Sequence, residues 1–232
     1  MDFVSKLLNE KVIVDNYAKI DSTNTMPANH GMKHILGTLA LTDIFAKALQ
    51  LTAREVEVIK TCLIFHDIGC VHGRNEHPYN SMLIAKEYFK NNDYFSADEL
   101  EKIYYAILHH DDFGDYSALK SKLDWLVNVI DKLDFTASRM EDNYKERFDY
   151  SESEDIDRLD LYFDGKEFKI TIKTIAEPKV ISAERIYNRN LICKAMMVFL
   201  GFCEKFGYIP KLFLEDEELY FDKFNKNVMV KR

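Results

Sequence analysis

The four cysteines of the chain, Cys62, Cys70, Cys193 and Cys203, form no CxxC pair. Reduced thiols in a cytoplasmic protein are therefore expected rather than a disulfide framework. Positive charge is not in excess. Lys+Arg 31 against Asp+Glu 39 leaves a net −8, which argues against a general nucleic-acid or membrane-surface binder. Phosphorylated substrates stay open, because bound cations can reverse a local field. No apolar run is long enough to cross a bilayer. The longest, around Met196-Met197-Val198-Phe199-Leu200, has Lys194 before it and Glu204 after it. Met1 to Asp15 carries Asp2, Lys6, Glu10 and Lys11 and does not read as a signal peptide. Internal repeats and low-complexity tracts are absent from the sequence.

What is present supports a real core. The 232 residues are 47% hydrophobic, with 16 Phe and 13 Tyr, enough for one large domain over 1–232. A short helix and a polar link, Asp21 to Thr25, should precede a helix from near Pro27 to about Gln50. Its apolar stripe is Ile35, Leu36, Leu39, Phe45, Ala46 and Leu49. Thr52-Ala53-Arg54-Glu55 and Ser96-Ala97-Asp98-Glu99 are capping boxes, each predicting a helix start. His77-Pro78 opens another helix, whose apolar face is Leu83, Ile84, Tyr88 and Phe89. A further helix is expected over about Leu119 to Ala137, with Asp131 on its inward side. Alternation on either side of Asp164-Gly165 predicts a β-hairpin near 158–174. Phe163 would then pair with Lys166, and Leu161 with Phe168. A long last helix should run from about Ser182 to Phe206, inside a C-terminal helical region of about 180–232. The fold class is mainly α, a helical bundle with a small β-hairpin insertion that covers the site or makes a contact between copies of the chain.

The chemistry-bearing residues gather at helix ends. Phe65-His66-Asp67-Ile68-Gly69 closes the apolar run of the helix begun at Ala53. Neighbouring helical side chains point about 100° apart, so His66 and Asp67 converge only where the helix ends or loosens. Gly69 suits a helix ending. His34, His77, His109, His110 and Asp131 join them, so that five of the seven histidines lie in one candidate ligand set. Bundles build metal sites from inward histidines and carboxylates on facing helices. Each member also has a plainer reading. His34 could be a satisfied core histidine. His109 and His110 could complement a helix dipole, and His77 could be an ordinary helix entry. His30 and His72 read as supporting or surface residues. Cys70 reads as an inert buried thiol, its other reading being an extra ligand.

The ordered pattern His34, then His66-Asp67-Ile68-Gly69, then Asp131 in Ile130-Asp131-Lys132 resembles the HD superfamily of metal-dependent phosphohydrolases over about residues 26–140. His77-Pro78 and His109-His110-Asp111 look like the added ligands of its binuclear branch, which includes cyclic-dinucleotide phosphodiesterases. The sequence departs from that branch in two places. Cys70 stands where a lysine follows the HD-Ile-Gly segment, and Phe113-Gly114-Asp115-Tyr116 replaces a Gly-Tyr-Pro signature.

The resemblance implies two divalent ions drawn from Fe, Mn, Co, Ni or Zn. His34, His66 and Asp131 would hold one; His77, His109 and His110 would hold the other; Asp67 would bridge them. Such ions lower the pKa of bound water enough to supply a hydroxide nucleophile near neutral pH. The implied activity is hydrolysis of a phosphomonoester or phosphodiester of a small metabolite or nucleotide. His66 and Asp67 would be catalytic, and Arg74 and Lys132 would contact phosphate. An HD-type di-iron oxygenase and a non-catalytic, metal-stabilised regulatory module are the alternatives.

Overall fold

The computed structural model of the chain describes residues 2–23, 30–91, 93–111, 116–139, 156–175, 190–221 and 229–231. Two compact units divide it, 1–131 and 132–232. The first is helical: α1 (Phe3–Leu8), α2 (Lys11–Thr23), α3 (Met32–Leu49), α4 (Ala53–Phe65), α5 (His77–Phe89) and α6 (Ala97–Leu108), with α7 (Lys122–Leu133) running through the boundary. α3 starts at Met32; Pro27 lies outside the described residues. Both expected capping boxes are made. Thr52 and Ser96 each accept from the backbone of the glutamate three residues on, and that glutamate reaches back.

α4 is the hub of this unit and packs against α1, α3, α5 and α6. Its last turn, Cys62 to Phe65, is buried without a break. A helix end in that position must have its spare carbonyls satisfied by the protein. Tyr17 of α2 donates its hydroxyl to the carbonyl of Ile64 at 2.7 Å. The chain then enters a 3₁₀ turn, Ile68–His72. Gly69 was expected as a helix-ending glycine, but its φ is not positive. Space explains it instead. A Cβ there would stand 2.3 Å from the carbonyl oxygen of His77 and 2.5 Å from the nitrogen of Ser81. The Gly69 N–H donates to Ser81 Oγ at 2.8 Å. The turn thus sits directly on the first turn of α5, which brings Asp67 up to His77.

Two apolar side chains expected inside are exposed, Leu36 at 52% and Leu83 at 43%. α3 buries Thr38 and Thr42 instead. Their hydroxyls return to the carbonyls of Ile35 and Thr38, each at 2.8 Å, so hiding them leaves no unpaired polar group.

The second unit holds one sheet in the order β1 (Ile156–Asp164), β2 (Glu167–Thr174), β3 (Ile209–Leu214), β4 (Glu217–Phe221) and β5 (Met229–Lys231), with α8 (Asn190–Phe206) packed against β3. β2 and β3 are parallel and the other neighbours antiparallel. A parallel pair needs a crossover, and α8 lies in the chain between them. The ring of Phe168 meets that of Phe199 edge-on at 4.8 Å. The expected helical region therefore turns to strand after Phe206. The predicted start of the last helix at Ser182 lies outside the described residues.

The hairpin is real, but its register differs from the expected one. Phe163 pairs with Phe168 and Leu161 with Ile170, so the turn is Gly165-Lys166. Gly165 takes φ +59° while Lys166 stays negative, the pattern of a turn with glycine at its first central position. A shift of two residues in pairing keeps every apolar side chain on the same face, so alternation could not tell the two registers apart.

Candidate metal centre

Five of the predicted residues come together with Asp67. α4 ends at Phe65, His66 caps it, and Asp67 leaves helical geometry at φ −104°, ψ −1°. This is the loosening that lets two adjacent side chains converge. Asp67 Oδ2 lies 3.3 Å from His66 Nε2 and 3.7 Å from His34 Nε2. Asp131 Oδ1 lies 3.0 Å from His34 Nε2 and 3.4 Å from His66 Nε2. On the other side, Asp67 Oδ1 lies 3.2 Å from His77 Nε2 and 3.5 Å from His110 Nε2. All six side chains are 3% exposed or less.

Three of the histidines are held by the same local device. The Nδ1 atoms of His66, His77 and His110 lie 2.7, 3.0 and 2.7 Å from the carbonyls of Leu63, Arg74 and Ile107, each three residues earlier. A carbonyl only accepts, so Nδ1 carries the hydrogen and the neutral ring presents a lone pair at Nε2. Leu63 and Ile107 belong to the last turns of α4 and α6, whose carbonyls lack helical partners. The rings of His66 and His110 therefore each close a helix end and aim Nε2 inward. Asn128 of α7 secures the third, donating to the carbonyl of His110 at 2.8 Å.

Left to themselves, these lone pairs oppose one another. His34 Nε2 and His66 Nε2 are 3.2 Å apart, and His77 Nε2 and His110 Nε2 are 3.0 Å apart. Two carboxylates share the same buried space, and burying charge without compensation is costly. In the ion-free protein a proton supplies part of the compensation. Burial pulls His66 down, but Asp67 and Asp131 outweigh it and raise its imidazole to about 10. Burial pushes Asp67 up, yet the His66 charge and then His30 hold its carboxyl well below the usual range. The donor set is imidazole nitrogen and carboxylate oxygen, which suits divalent transition ions.

The remaining predicted residues lie differently. His109 caps α6 and lays its ring on Tyr105, centroids 4.3 Å apart, outside the group around Asp67. At the end of α6, unlike that of α4, only one of the two consecutive residues turns toward Asp67. Arg74 Nη1 is 4.0 Å from Asp67 Oδ1 and its Nη2 is 3.4 Å from Asp111 Oδ2, with the side chain 41% exposed. Lys132 is buried at 7% and projects about 100° round α7 from Asp131. His30 is buried, with its ring 6.2 Å from that of His34, whereas His72 is exposed. Residues 112–115, which include Phe113 and Gly114, lie outside the described residues. Sequence reasoning missed Asn128, and Cys70 is buried as expected. Cys70 Sγ lies 3.9 Å from Asp67 Oδ1. A polar residue one turn before Asp131 on an apolar helix was the available signal for Asn128.

Helices that deliver buried histidines and carboxylates to one point define a metal-binding helical domain. The family model of the HD domain matches residues 31–136, the stretch that holds every member of the cluster. The match spans a little under half of the chain, and the HD domain that this stretch resembles is the module of a superfamily of metal-dependent hydrolases. A search of curated proteins finds no match to the chain. No helix among the described residues is long and apolar enough to cross a membrane.

Proposed function

We propose that the protein is a metal-dependent phosphohydrolase that uses two divalent ions to cleave a phosphoester of a small metabolite or nucleotide. The observation that carries this reading is the placement of Asp67. One of its oxygens faces His34 and His66, and the other faces His77 and His110. His34, His66 and Asp131 would hold one ion, His77 and His110 the other, with Asp67 between them. Bound there, the ions would activate water and neutralise phosphoryl oxygens.

The protein's own groups do the positioning. The carbonyls of Leu63, Arg74 and Ile107 fix the tautomer and aim of three imidazoles. The half-exposed Arg74 guanidinium reaches both the cluster and solvent, so it is placed to exchange its Asp111 contact for a phosphate. Phosphoryl transfer needs mostly positioning and charge neutralisation, which such a set can supply.

The test is hydrolysis of a broad phosphoester panel by ion-replete protein, with ion content measured on the same sample. Turnover lost in His66→Ala supports the reading. No turnover, but substrate-dependent oxygen uptake by the iron-loaded form, would replace it with oxygenase chemistry. Folded, ion-replete protein with neither activity would leave a regulatory module.

A further inference from the structure

Cys70 stands on the His77 side of Asp67, and three observations make it more than a buried thiol. The first is local. Asp67 precedes the 3₁₀ turn Ile68–His72, and the Cys70 N–H donates to the Asp67 carbonyl at 2.9 Å. Side chains three apart eclipse in such a turn, so residue 70 is stacked over residue 67. The second is convergence. Cys70 is 5% exposed. Its Sγ, a carboxylate oxygen of Asp67 and a ring nitrogen of His77 all lie within 4.8 Å of one another.

The third does not involve the cysteine at all. His77 and His110 each present a lone pair at Nε2, 3.0 Å from each other and 3.2 and 3.5 Å from the same Asp67 oxygen. Three such atoms this close need positive charge among them, supplied by a proton on one ring or by a bound ion. Ligands bound about 2.0–2.3 Å from a tetrahedral ion stand about 3.2–3.8 Å apart; the two imidazole–carboxylate spacings on this side lie in that range, and the His77–His110 and Cys70–Asp67 spacings, 3.0 and 3.9 Å, lie just outside it.

We propose that Cys70 is a thiolate ligand of the ion held between Asp67 Oδ1, His77 and His110, so that this side of the centre is a nitrogen, oxygen and sulfur site. The proposal rests on the two-ion reading above. On binding, the S–H bond breaks, its proton passes to solvent and an S–metal bond forms, with no change of oxidation state. Thiolate is a soft ligand. This side should prefer zinc, cobalt(II) or iron(II) to magnesium or manganese, whereas the His34 side has no such bias.

The experiment uses the full chain, stripped with a chelator and reloaded with Zn²⁺ or Co²⁺ in a phosphine reductant, so that the buffer brings no thiol. The zinc form should bind two ions per chain and show a sulfur neighbour at about 2.3 Å in X-ray absorption. The cobalt form should show a thiolate charge-transfer band in the near ultraviolet. Cys70→Ser should lose both signals, keep one ion and bind the second at least ten-fold more weakly. Two ions with only nitrogen and oxygen neighbours, or a sulfur signal that survives Cys70→Ser, overturns the proposal and leaves the two-ion reading standing. One ion with a sulfur neighbour removed by Cys70→Ser does the reverse. One ion without sulfur ends both. The wild-type spectra decide even if the variant fails to fold.

Discussion

The two sides of Asp67 are assembled in different ways. On one side, His34, His66 and Asp131 come from α3, the end of α4 and α7, nearly a hundred residues of chain apart. On the other, Cys70 and His77 lie within ten residues of Asp67, and only His110 arrives from a distance. The first side exists only when three helices are packed. The second is largely built by one 3₁₀ turn pressed on the start of α5, with Gly69 as the contact point. A long-range side should be lost with global packing. The local side should be lost whenever that one turn shifts.

The most damaging change removes what the two sides share. Asp67→Ala should abolish binding at both and all hydrolysis above background, read by ion content after dialysis and by turnover. His34→Ala and His77→Ala should each remove one ion and leave the other. If either variant released both, the sides would not be separable. Gly69→Ala should act on the local side alone at first. Its Cβ would meet backbone at 2.3 Å and 2.5 Å, so a cost on the order of 1–3 kcal/mol is expected, seen as a lower Tm with the His77-side ion lost before the His34-side ion.

A smaller effect is expected from Asn128→Ala, which frees the carbonyl of His110. Affinity on that side should drop roughly ten- to a hundred-fold, measured by titration, while the His34 side keeps its ion.

The smallest effect lies away from both. Arg54 Nε pairs with Glu99 Oε1 at 2.7 Å. First the Arg54 guanidinium and then the Ser96 backbone N–H hold Glu99 at about 2, below its ordinary 4.5. A depressed carboxylate stabilises the fold above its ordinary pKa, and that share is lost as pH falls from about 4.5 through about 2. The side chains are 38% and 25% exposed, so solvent screening keeps the gain to about 1 kcal/mol or less. Arg54→Met should flatten the acid limb of a stability profile and leave the ion content of both sides unchanged.

Local chemistry was readable wherever it is local. Thr52 and Ser96 announced α4 and α6 because a capping box is complete within four residues. The ligand types at helix ends were readable because histidine and aspartate in ordered spacing are rare by chance. The hairpin was readable as a hairpin but not in register, since pairings two residues apart leave the same face apolar. β3, β4 and β5 escaped because β3 pairs in parallel with β2 across α8, a long-range contact without a short-range trace. Leu36 and the threonines of α3 misled because a hydroxyl bonded to its own helix is buried as readily as a methyl group.

The amino-acid sequence by itself determined which groups could bind a cation, where most helices begin, and that the chain is mainly helical, because these follow from side-chain chemistry and from interactions a few residues long. Tertiary structure alone decided that His110 and not His109 turns inward and that Asp67 faces both ways. Those outcomes depend on distances of a few ångströms between segments far apart in the chain, and such distances are set only when α4, α5, α6 and α7 are packed together.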